Sequence, residues 1–114
     1  MKIKTSELTG KALDWAVALS DGWDINFLIG MPKMIPEYST DWDLCGQLID
    51  DYSIDLSCEI ETTGTTWSAK EYYYSNGWSY AETPQIAICR AVVSSKLGDE
   101  VEIPSELMEK NNDQ

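Results

Sequence analysis

Between Ile54 and Glu61 the chain alternates strictly, with Ile54, Leu56, Cys58 and Ile60 apolar and Asp55, Ser57, Glu59 and Glu61 polar. A period of two belongs to a β-strand with one face in the core and the other in water. Thr62-Thr63-Gly64-Thr65 then reads as a turn into a second strand, Thr66 to Tyr74. Asn76-Gly77, between Tyr74-Ser75 and Trp78-Ser79, is the dipeptide a tight hairpin turn demands, because both central residues take positive φ. These signals predict a three-stranded antiparallel meander.

Helical signals flank the meander. Thr83 as N-cap, Pro84 at the first helical position, Ile86, Cys89, Val93 and Leu97 on one face, and Gly98 as the stop define a C-terminal helix. Near the start, Leu8, Ala12, Trp15 and Leu19 share one helix face, but Gly10 interrupts them. Two readings stand there: one helix from Thr5, or a short turn at Thr5 to Leu8 followed by a helix capped by Thr9. Gly22 supplies the stop. Trp23-Asp24-Ile25-Asn26-Phe27-Leu28-Ile29 alternates imperfectly and reads as a candidate strand, followed by a loop through Gly30, Pro32 and Pro36 to about Ser39. Ser39 to Ile49 opens with good cap residues but carries Gly46, which predicts a short helix. Asp99 to Pro104 adds a short strand. The expected fold class is α+β: a small antiparallel sheet, comprising the meander and edge strands, with two main helices in a single layer on one face. Residues 1–107 form a single domain, and residues 108–114 a polar C-terminal tail.

A chain of 114 residues, 43% of them hydrophobic, can bury one core. No apolar run approaches the roughly 18 to 20 residues of a membrane span, and the first residues lack a secretory pattern, so a cytoplasmic, non-membrane protein is expected. Cys45, Cys58 and Cys89 are odd in number, widely spaced and without a C-x-x-C pair; all three read as reduced thiols, with Cys58 and Cys89 as small buried hydrophobes. The sequence contains no His, which closes Cys-His and Ser-His catalysis and His-containing metal sites. Asp41, Asp43 and Gly46 match positions of a calcium loop, but Cys45 and Tyr52 stand where oxygen ligands belong. Nucleotide-binding and hydrolase motifs are absent. No catalytic residue, metal or cofactor is expected. Paired-carboxylate chemistry stays open only because the acids are numerous.

Net charge is −12, and it is concentrated. Between Lys33 and Lys70 there is no base, while Glu37, Asp41, Asp43, Asp50, Asp51, Asp55, Glu59 and Glu61 are all acids. Such a field repels phosphate backbones, which argues against direct nucleic-acid binding, and it attracts a basic protein surface. Simple solubility is the plainer explanation. Tyr72, Tyr73 and Tyr74, with Trp67, Trp78 and Tyr80 nearby, must leave about half their rings on the outer face of a strand unless a helix covers them. Exposed rings would suit a protein interface or a homodimer. The candidate interaction surface is therefore Asp41, Trp42, Asp43, Asp50, Asp51, Asp55, Glu59, Tyr72 and Tyr74.

Three blocks carry a family resemblance: Thr5-Ser6-Glu7-Leu8-Thr9-Gly10 with Ala12 to Ala18; Tyr38-Ser39-Thr40-Asp41-Trp42 with Gly46 and Ile49; and Thr83-Pro84-Gln85-Ile86-Ala87 with Arg90 and Ser95 to Pro104. In order and spacing these resemble the NinX-like proteins of lambdoid phages and their prophages, except from about Glu61 to Tyr80, where no family pattern is recognised. The resemblance implies a phage or prophage protein in a bacterial host and transfers no catalytic residue. The favoured expectation is a non-enzymatic accessory module that binds a host or phage protein. Alternatives are an acidic DNA mimic directed at a host DNA-binding enzyme and a small-ligand binder or carboxylate enzyme.

Overall fold

The structure, a computed structural model, describes residues 1–73 and 77–107. Its elements run β1 (Lys2–Lys4), a 3-10 turn (Thr5–Glu7), α1 (Gly10–Ser20), α2 (Ile25–Gly30), α3 (Trp42–Tyr52), β2 (Ile54–Glu61), β3 (Gly64–Glu71), β4 (Ser79–Ala81), α4 (Pro84–Leu97) and β5 (Glu100–Glu102). The fold class is α+β, as the two periodicities require. β2, β3 and β4 form the antiparallel meander in that order, with Leu56 opposite Ala69 and Ala69 opposite Ser79. β3 ends at Glu71, short of the expected Tyr74. The expected Asn76-Gly77 turn and Tyr74 itself fall partly or wholly outside the described residues, as does the tail from 108 to 114.

The strand expected after Asp99 exists as β5, but it pairs with β1 in a separate antiparallel sheet. Lys2 faces Glu102, Ile3 faces Val101, and Lys4 faces Glu100. Lys-Ile-Lys against Glu-Val-Glu sets opposite charges across the pair on one face and buries Val101 on the other. That complementarity was readable, but only once both termini were considered together.

At the N-terminus the turn-then-helix reading holds. Thr9 is the N-cap of α1, and Gly10 takes φ +59°, which breaks continuity with the preceding turn. α1 ends in a Schellman motif: the Trp23 N–H donates to the Ala18 carbonyl at 3.1 Å and the Gly22 N–H to the Leu19 carbonyl at 3.2 Å, with Gly22 at φ +96°. Every residue from Ala12 to Ala18 is buried, so α1 is the central helix and not a one-sided one.

The candidate strand at Trp23 to Ile29 is overturned: this segment is α2. Asp24 accepts the Phe27 N–H at 3.0 Å, a capping bond that nucleates a helix, and Leu28 alone of α2 is buried. α3 starts later than expected, because Asp41 and not Ser39 caps it, accepting the N–H groups of Asp43 at 2.9 Å and Leu44 at 3.4 Å. It tolerates Gly46, beside which a Cβ would meet open space, and it ends where Ser53 adopts φ +53°.

α4 is capped as expected, Thr83 Oγ1 accepting the Ile86 N–H at 3.2 Å. It lies over β3 and β4, and α1 and α3 pack against it. Contacts on several sides bury Ala87, Ile88, Ala91 and Val92 in addition to the expected Cys89 and Val93. Cys45 of α3 and Cys89 of α4 are both fully buried, and Cys45 Sγ donates to the Gln85 carbonyl at 3.8 Å; the neighbouring Cys45 thiol and burial push the Cys89 thiol up.

Candidate functional site

Strand register decides which side chains of the hairpin share a face. Ile54, Leu56, Cys58 and Ile60 lie opposite Glu71, Ala69, Trp67 and Thr65, all on the side that faces α4. Burial fades along this face: Ile54, Ala69 and Glu71 are buried, Trp67 is half-buried, Leu56 is 36% exposed, Cys58 is exposed and Ile60 is 80% exposed. α4 covers the root of the hairpin, and β2 runs out past it. The expectation that Cys58 is a buried hydrophobe is thus overturned: it sits on the apolar face of its strand, but no helix reaches that far.

The opposite face of β2 carries Asp55, Ser57, Glu59 and Glu61, all exposed. Asp55 has Lys70 across from it on β3, whereas Glu59 and Glu61 face Thr66 and Gly64, so no β3 cation answers them. β2 is also the outermost strand; among the described residues no strand pairs with its far edge. An open edge, an apolar face and an acidic face thus coincide on one projecting strand.

The residues predicted from sequence do not form one patch. Asp41 and Asp43 lie at the start of α3, where Asp41 is occupied as the cap, and Trp42 beside them is 51% exposed. Asp50 and Asp51 are exposed near the other end, about 13 Å away at 1.5 Å per helical residue. Asp55 and Glu59 belong to the outer face of β2. Tyr72 is 63% exposed, and its N–H donates to the Ser53 carbonyl at 2.9 Å, which sets it beside the α3–β2 junction near Asp51 and Asp55. Tyr74 lies outside the described residues. The structure therefore sets Tyr72 beside the start of β2, puts Asp55 and Glu59 on one face of that strand about 13 Å apart, and leaves Asp41, Trp42 and Asp43 at the start of α3.

Sequence reasoning missed the buried polar groups. Asp14 in α1 accepts the Ser39 N–H at 2.8 Å; burial pushes its carboxyl up, and that bond partly offsets the shift. Glu71, at the buried end of β3, accepts a hydrogen bond from Ser95 Oγ of α4. Arg90 Nε donates to the Leu8 carbonyl at 3.0 Å and its Nη1 to the Tyr80 carbonyl at 2.7 Å, tying α4 to the N-terminal turn and to β4. Tyr52 Oη donates to Asp21 Oδ1 at 2.5 Å; burial, and then that bond, raises its phenol, and burial pushes Tyr38 up to about 12. Asp14, Glu71, Arg90 and Tyr52 each already have a structural partner. The hydrophilic interruptions of apolar faces at Asp14 and Arg90 were the available signal.

An apolar groove of about 540 Å³ runs between α1, α2 and β5, lined by Trp15, Leu19, Ile25, Ile29, Val101 and Ile103 among others. Trp15 Nε1 is buried without an acceptor among the described residues. No group of His, Cys, Asp and Glu able to hold a metal occurs among the described residues, and none of their helices is long and apolar enough to cross a membrane.

No curated protein matches the chain. The sequence model of one family, described as "Bacteriophage P22, NinX", matches residues 4–96, a span that runs from β1 almost to the end of α4, and the chain belongs to this family of phage proteins.

Proposed function

We propose that this phage accessory protein is a non-enzymatic protein-binding module and that its docking element is the projecting β2–β3 hairpin. The observation that carries the reading is the run of apolar side chains, Leu56, Cys58 and Ile60, on a strand face that α4 leaves uncovered. Apolar surface in water is unfavourable by about 25 cal/mol per Å², and a contiguous strip of it marks a surface made to be covered. Acids at Asp51, Asp55, Glu59 and Glu61 around the strip favour a basic partner and speed its encounter. Enzymatic readings gain no support from the buried carboxylates, because Asp14 and Glu71 are engaged in holding elements together.

The test is affinity capture from bacterial host lysate at low and moderate salt, with and without duplex DNA, comparing the natural protein with an Ile60→Asp variant. One stoichiometric, salt-sensitive partner that the variant fails to retain is the expected result. Absence of a partner at any salt, or equal retention by the variant, overturns the reading. Displacement of the partner by DNA would place that partner among DNA-binding proteins.

A further inference from the structure

Resting on the reading just given, we infer that β2 binds its partner by strand addition, and that the added strand alternates apolar and basic residues. Three observations converge on that occupant. The far edge of β2 is unpaired among the described residues, so an eight-residue strand offers backbone N–H and C=O groups to a newcomer. Successive side chains of a strand added there fall alternately on the two faces of the sheet. On one face they would extend the apolar strip of Leu56, Cys58 and Ile60; on the other they would stand beside Asp55, Glu59 and Glu61.

Charge selects between a second copy of this chain and a foreign strand. Antiparallel pairing of β2 with itself, with both apolar faces on the same side, sets residues of equal parity opposite each other. The registers of greatest overlap then place Asp55 of one copy against Glu59 or Glu61 of the other. Like charges directly opposite are destabilising, so the acidic row that keeps copies apart leaves the edge open to lysine and arginine. Glu59 and Glu61 in particular have no cation opposite them on β3.

A short capped peptide of alternating Val and Lys is the probe. Its binding to the full chain is followed by fluorescence anisotropy, and its placement by amide hydrogen exchange. The expected result is binding weakened by salt, slowed exchange along Ile54–Glu61, and slower alkylation of Cys58. Ile60→Asp or Glu59→Lys should weaken binding about tenfold, and the double variant Glu59→Lys with Glu61→Lys should prefer the Val-Glu counterpart peptide. A peptide of the same composition with its Val and Lys in separate blocks, and one N-methylated at alternate residues, should both fail to bind. Equal binding by the N-methylated peptide, or protection that maps away from β2, overturns strand addition. Those outcomes leave lysate capture free to succeed, so failure of this inference is distinguishable from failure of the protein-binding reading.

Discussion

The backbone N–H of Ser39 donates to Asp14 Oδ1 at 2.8 Å, a bond that crosses 25 residues of sequence and fastens the segment before α3 to the central helix. Both residues are buried, so the bond cannot be exchanged for one to water. Asp14→Ala should lower stability by about 1 to 3 kcal/mol, since it strands a buried N–H. Asp14→Asn keeps an acceptor and should be much milder. Because burial raises the Asp14 carboxyl above its ordinary 3.8, the folded chain holds a proton that the unfolded chain releases between those two values. Stability from this group is therefore highest below the ordinary value and declines as pH rises through the window above it, a slope that Asp14→Asn removes. Urea unfolding as a function of pH measures both effects.

Two glycines should respond to alanine with opposite signs. Gly98, the C-cap of α4, holds φ +92° and ψ −163°, a region closed to side chains, and its carbonyl accepts from Thr5 Oγ1 at 2.6 Å. Gly98→Ala should cost about 1 to 3 kcal/mol. Gly46 lies inside α3 with open space where a Cβ would go, so Gly46→Ala should stabilise by about 0.5 to 1 kcal/mol. Thermal unfolding of the two variants decides.

Of the three thiols, Cys58 alone is exposed, while Cys45 and Cys89 are fully buried. Iodoacetamide should label one cysteine in the native protein and all three after denaturation, read by mass spectrometry with peptide mapping. Labelling of Cys45 or Cys89 at the rate of Cys58 would contradict the packing of α3 on α4.

Arg90 joins three parts of the chain through its bonds to the Leu8 and Tyr80 carbonyls. Arg90→Met should destabilise by about 2 kcal/mol, and Arg90→Lys should recover only part of that, because an ammonium lacks the rigid fork that reaches two carbonyls at once. Denaturant midpoints of the three proteins provide the comparison.

Local signals made much of the fold legible. The alternation at Ile54 to Ile60, the Thr83-Pro84 start and Gly98 stop of α4, and the Gly22 stop of α1 each rest on a few neighbouring residues, and each is present in the structure. The segment from Trp23 to Ile29 misled because only its loose alternation was read, whereas the Asp24 side chain caps the backbone directly and starts a helix there. Of the residues expected at an interaction surface, Asp55 and Glu59 share the outer face of β2 and Tyr72 follows the end of β3, whereas Asp41, Trp42 and Asp43 sit at the far end of α3, because spacing along the chain does not say which segments meet. Ile60 was placed on the apolar face but left out of the candidate interaction surface, because alternation identifies that face without saying whether anything covers it.

From its sequence alone this protein's fold class, its lack of histidine, its concentrated acidity and the faces of its strands were determined, because each depends on residue type or on spacing along one short segment. Tertiary structure alone decided that β1 joins β5, that Asp14 reaches Ser39, and that α4 stops short of Ile60. Those outcomes depend on how far one element extends over another, a distance set by the packing of the whole core, which no local pattern records.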